Sequence, residues 1–116
     1  MTCGVLVVED DPDLRQMLAE LLTAEGFVTE VAENGRAALD ALSRGLRPCV
    51  ILLDLMMPEM DGFAFRTLQR SQPAIANIPV VVLTAAAERA QPLQPVATLR
   101  KPIDFGKLIA TLRSCC

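Results

Sequence analysis

Three uninterrupted apolar runs constrain this chain more than any other feature. They are Val5-Leu6-Val7-Val8, Val50-Ile51-Leu52-Leu53 and Val80-Val81-Val82-Leu83. Each has the length of a strand, is rich in valine, isoleucine and leucine, and shows no alternation with polar residues. A strand that is apolar on both faces has to be covered on both faces, and a parallel sheet between layers of helices provides that cover. Each run also stops abruptly at a polar residue: Glu9-Asp10-Asp11 after the first, Asp54 after the second, Thr84 after the third. In open α/β sheets the C-terminal ends of the strands are where ligand chemistry collects.

The segments between the runs read as helices. Pro12 suits a first helical turn with Asp11 before it as N-cap. Leu14, Met17, Leu18, Leu21 and Leu22 then recur at helical spacing, and Gly26 ends the helix. Phe27 to Val31 is expected to form a short strand. Asn34-Gly35 opens a second helix that stops at Gly45. Gly62 to Arg70 forms a third, and Asp61-Gly62 before it reads as a turn. Ala97 to Arg100 is a candidate fifth strand, and Asp104 caps a last helix bearing Phe105, Leu108, Ile109 and Leu112. Strand and helix alternate throughout, so the expected fold is a five-stranded, doubly wound α/β sandwich. With 116 residues, the chain is expected to be one domain over residues 1–116.

Composition narrows the chemistry. The chain has no histidine. That rules out an imidazole base, a Ser-His-Asp triad, a phosphohistidine on this chain and zinc bound through imidazole. Its four cysteines, Cys3, Cys49, Cys115 and Cys116, lack Cys-x-x-Cys spacing. The net charge is −3 with basic residues scattered, so no direct contact with nucleic acid is expected. The apolar runs are far shorter than the roughly 20 residues that cross a bilayer, and no signal peptide is visible. A cytoplasmic protein without membrane contact is expected.

In a parallel sheet the strand ends lie on one edge. Glu9, Asp10 and Asp54 would then meet Thr84 and Lys101. Singly, each has a plainer reading: Asp54 as a strand-end carboxylate, Thr84 as a turn residue, Lys101 as a surface cation, Asp11 as a helix cap. Jointly they supply carboxylates for a hard divalent cation, a hydroxyl and a fixed ammonium. A carboxylate also serves as a nucleophile toward phosphorus, in a reaction that depends on positioning and charge neutralisation more than on a protein base.

Four motifs, Val7-Val8-Glu9-Asp10-Asp11, Asp54-Leu55-Met56-Met57-Pro58-Glu59-Met60-Asp61-Gly62, Leu83-Thr84-Ala85 and Lys101-Pro102, occur in this order. On them the chain resembles the receiver domains of two-component response regulators, from Val5 to Leu112. The resemblance implies a CheY-like sheet in the order 2-1-3-4-5. It implies that Asp54 accepts a phosphoryl group from the phosphohistidine of a histidine kinase or phosphotransfer protein. It further implies Mg²⁺ held by Glu9, Asp10, Asp54 and the Met56 carbonyl, with Thr84 and Lys101 contacting the phosphoryl oxygens. The Lys101-Pro102 bond is expected to be cis on the same ground.

One segment departs from the family. Pro92 and Pro95 interrupt the helix-prone Ala85–Gln91, so the fourth helix of the pattern is expected to be short, about two turns. Thr98 stands where an aromatic is usual. Two other functions fit some of these features. One is a receiver-fold interaction module acting without phosphate control. The other is an aspartyl phosphatase, which Met56 disfavours because an acid–base aspartate is usual there. The downstream protein target is not legible.

Overall fold

The computed structural model describes residues 4–57 and 59–116. Cys3 and Pro58 lie outside them. The elements follow the order β1 (Gly4–Val8), α1 (Pro12–Ala24), β2 (Val28–Ala32), α2 (Gly35–Ser43), β3 (Val50–Asp54), α3 (Gly62–Arg70), β4 (Val80–Thr84), a 3₁₀ helix (Ala87–Leu93), β5 (Ala97–Arg100) and α4 (Phe105–Ser114). The strands form one sheet in the order β2-β1-β3-β4-β5, and every pairing is parallel. This is the doubly wound architecture expected from the apolar runs.

Alternate residues of each central strand feed opposite cores. Leu6, Val8, Ile51, Leu53 and Val82 pack with Ala38, Leu42 and Phe65, and with Ala90 and Leu93 of the 3₁₀ helix. Val5, Val7, Val50, Leu52, Val81 and Leu83 pack with Leu18 and Leu22 of α1 and Leu108 and Leu112 of α4. The edge strands are wetter: Val28 and Val31 of β2 are about half exposed, and β5 alternates between half-buried and exposed residues.

The helix starts follow local chemistry. Asp11, Asn34 and Asp104 each accept from backbone N–H groups in the first turn of their helices. Asp61 does the same, its Oδ1 accepting from Ala64 N at 2.9 Å, so it is the cap of α3 where a turn was expected. β2 starts one residue later than expected. The Phe27 amide donates to Leu22 O at 3.0 Å and closes the end of α1 instead of joining the sheet.

The segment between β4 and β5 is the main difference. An alanine-rich stretch predicts an α-helix stopped by Pro92, but a 3₁₀ helix runs through Pro92 to Leu93. Its N-cap, Ala86, offers no side-chain acceptor, and Gln94 leaves it in the left-handed region with φ 49°. The tighter 3₁₀ winding needs fewer residues for each bond, which suits a segment this short.

Candidate functional site

β1 and β3 are neighbours, with Val8 opposite Leu53 in the register. Their C-terminal residues therefore bring Glu9, Asp10 and Asp54 together, with one carboxylate oxygen from each lying within 4.8 Å of the other two. Glu9 and Asp54 are buried and Asp10 is half-buried. β4 delivers Thr84, also buried, and β5 delivers Lys101. The Lys101 ammonium lies 3.3 Å from Glu9 Oε1 and 3.8 Å from Asp54 Oδ1. The Lys101–Pro102 bond is cis. The structure thus assembles Glu9, Asp10, Asp54, Thr84 and Lys101, and Met56, two residues after Asp54, is 60% exposed.

Burial shapes the charges here. Glu9 is pushed up from its ordinary 4.5 to about 7, first by burial and then by the nearby Asp54 charge, with Lys101 pulling the other way. Asp54 is also raised, chiefly by burial, against the lowering effects of its hydrogen bond with Glu9 and of the Lys101 charge. A lone ammonium offsets only part of this crowding. An all-oxygen set of three carboxylates, two of them buried, suits a hard divalent cation.

Backbone contacts fix the carboxylates. Arg15 Nη1 donates to Glu9 O at 2.9 Å and Asp10 O at 3.4 Å, holding the exit of β1. Asp11 N donates to Glu9 Oε2 at 3.2 Å and Met56 N to Asp54 Oδ1 at 3.4 Å. Two glycines pin the loop after Asp54. Gly62 N donates to Leu55 O at 2.9 Å, and Gly35 N, from the start of α2, donates to Met60 O at 3.1 Å. A Cβ at Gly62 would sit 2.8 Å from Asp54 O and one at Gly35 2.7 Å from Met60 O, so neither position has room for a side chain. Thr84 Oγ1 accepts from Ala86 N at 3.1 Å, which ties the hydroxyl to the start of the 3₁₀ helix.

Sequence reasoning missed Arg15, Gly35 and two arginines of α3, Arg66 and Arg70, that bond the far end of the 3₁₀ segment. The arginines do carry a signal, an i, i+4 pair of cations on one helix face. Their backbone partners on the 3₁₀ segment lie more than 20 residues away, which no side-chain pattern announces.

A doubly wound parallel sheet with carboxylates, a threonine and a lysine converging at its C-terminal edge defines a signalling receiver fold. A family model for the response regulator receiver domain matches residues 5–113, and the chain belongs to that family. It is 40% identical over 119 residues to the response regulator PleD of Caulobacter vibrioides, covering 98% of this chain and 26% of PleD. The chain thus spans about a quarter of that relative's length. Among solved structures, the receiver domain of a signal transduction histidine kinase from Syntrophus aciditrophicus superposes with a TM-score of 0.90 at 32% identity, covering 98% of this chain and 89% of that one. The receiver domain of the sensor histidine kinase PA1611 from Pseudomonas aeruginosa, with a magnesium ion coordinated in its active-site cleft, gives 0.87 at 25% identity, covering 98% and 97%. Among the described residues no helix is long and apolar enough to cross a membrane.

Proposed function

We propose that this chain is the phosphoacceptor of a two-component or phosphorelay system, with Asp54 as the acceptor. The observation that carries this reading is the placement of Asp54. It is a buried carboxylate at the end of β3, 3.8 Å from the Lys101 ammonium and clustered with Glu9 and Asp10. The donor is the phosphohistidine of a histidine kinase or phosphotransfer protein. An Asp54 oxygen attacks phosphorus, the O–P bond forms as the N–P bond breaks, and the donor imidazole leaves with the electron pair and takes up a proton. Lys101 then faces a phosphoryl oxygen as a fixed cation, and the Thr84 hydroxyl donates to another, both as charge-assisted bonds. Glu9, Asp10, Asp54 and the Met56 carbonyl would hold Mg²⁺, which neutralises charge on the transferring group. The magnesium ion in the active-site cleft of the related PA1611 domain supports a divalent cation at this edge of the sheet. Phosphorylation then changes which downstream protein the domain contacts.

Intact-mass measurement after incubation with Mg²⁺ and acetyl phosphate tests the reading. One phosphoryl group is expected on the wild type and none on Asp54→Asn. Phosphate on Asp54→Asn would overturn the assignment.

The 3₁₀ segment and the exposed Thr98 favour a second reading, a receiver-fold interaction module that works without phosphorylation. An unlabelled wild type that still captures a kinase would support it.

A further inference from the structure

The segment between β4 and β5 is tied at both ends. Its near end bonds the site, through Ala86 N donating to Thr84 Oγ1 at 3.1 Å. Its far end is gripped by α3. Arg66 Nε donates to Leu93 O at 2.9 Å and Arg66 Nη2 to Gln94 O at 3.4 Å. Arg70 Nη1 donates to Pro92 O at 3.3 Å, and Arg70 Nη2 donates to Leu93 O and, at 3.3 Å, to Gln94 Oε1. These carbonyls close the 3₁₀ helix and carry the negative end of its dipole, so cations are the fitting partners.

The grip is rooted in the core. Arg66 Nη1 donates to Gln69 Oε1 at 2.8 Å, and Gln69 is fully buried. Gln69 Nε2 in turn donates to Ile75 O and Ile78 O, each at 3.0 Å, in the connection leading to β4. Neither arginine has a carboxylate partner among the described residues. No carboxylate among the described residues therefore competes with the 3₁₀ segment for their donors. From the other side, the Arg89 guanidinium lies over the Phe63 ring of α3 at 5.7 Å, with Nη1 3.9 Å from Met56 Sδ. The ties toward β5 are weaker in kind. Arg100 donates to Ala85 O at 3.2 Å and pairs with Glu88 at 3.5 Å, with both side chains mostly exposed.

We propose that Arg66 and Arg70 are positioning residues for the response to Asp54 phosphorylation. They clasp the far end of the segment whose near end holds Thr84, so movement of Thr84 is carried to α3. This rests on the phosphoacceptor reading above. Drawing the Thr84 hydroxyl toward a phosphoryl oxygen pulls on Ala86. The far end cannot slide, so the 3₁₀ helix pivots on the clasp and loads α3. The clasp favours the unphosphorylated arrangement, so loosening it shifts the population toward the phosphorylated one.

Arg66→Met/Arg70→Met keeps the apolar stems and removes the donors. Arg70→Met alone changes an exposed residue and keeps the test available if the double variant fails to fold. Amide hydrogen exchange is followed with Mg²⁺ and with or without beryllofluoride. In wild type, protection should change over residues 84–94 and over α3. In the double variant the change over 84–94 should persist, the α3 change should vanish, and beryllofluoride should bind about fivefold more tightly, at the low end of ordinary coupling. Arg70→Met should show a smaller α3 change than wild type. An α3 change as large in the variants as in wild type, or an unaltered affinity, overturns the clasp while leaving the phosphoacceptor reading standing. A wild type that takes up no beryllofluoride overturns both.

Discussion

Glu9 is the residue whose chemistry most depends on conditions. Its carboxyl titrates near 7 in the fold against an ordinary 4.5. Between those values the folded chain binds more protons than the unfolded chain. The associated stability is therefore full below about 4.5 and is lost as the pH rises through about 7. Asp54, also raised, adds in the same sense. Asp10 and Lys101 face the same cluster, and Lys101 limits the effect without cancelling it. The metal-free protein should therefore melt at a higher temperature at pH 5.5 than at pH 8, and Glu9→Gln should flatten that difference; differential scanning calorimetry reads both. Mg²⁺ needs the anions, so its affinity should rise from pH 6 to pH 8 with release of protons. Isothermal titration in buffers of different ionisation enthalpy measures that release, and a pH-independent affinity would remove Glu9 from the ligand set. Asp10→Asn should weaken Mg²⁺ binding at either pH. Gly62→Ala forces a Cβ against backbone at 2.8 Å from Asp54 O and 2.9 Å from Leu55 Cα. Overpacking of this kind costs about 1–3 kcal/mol, to be read from urea unfolding, and should slow acceptor labelling by displacing Asp54.

At the scale of elements, the 3₁₀ segment should exchange its amides fastest. It is seven residues long, has no side-chain cap at its N-terminus and buries only Ala90 and Leu93. Hydrogen exchange on the unphosphorylated protein should place 87–93 below every α-helix in protection, and slower exchange there than in α2 would refute that ranking. This segment also marks where the sequence stops being informative. The caps Asp11, Asn34 and Asp104 were legible because capping is decided within three residues of the cap. The apolar runs were legible because burial on both faces leaves no polar residue in the strand. The winding of 87–93 was not, because alanine favours an α-helix and the 3₁₀ form is imposed by the span between β4 and β5 and by the grip of Arg66 and Arg70. The site lay between these cases. Which residues meet follows from parallel strands ending on one edge, whereas their spacing, and the burial that lifts Glu9 and Asp54, are set only by the packing of the folded chain.

Across the whole molecule, the two cores share the same strands, so neither face should come apart alone. Phe65→Ala on one side should cost about 3–5 kcal/mol and Leu108→Ala on the other about 2–5 kcal/mol. Both should lower one common unfolding midpoint, and two separate transitions in circular dichroism and fluorescence-dye melts would contradict that. The sheet order has one more consequence. Glu9 and Asp54 leave β1 and β3, the strands at and beside the centre of the sheet, rather than either edge. Fraying at β2 or β5 cannot scatter these carboxylates; only loss of the central strands can. Occupancy of the cluster is then linked to the folding equilibrium of the entire chain. A cation at 100 times its dissociation constant would add about 2.7 kcal/mol to global stability. The dependence of melting temperature on Mg²⁺ concentration would thus act as a binding isotherm, with the whole fold serving as the indicator.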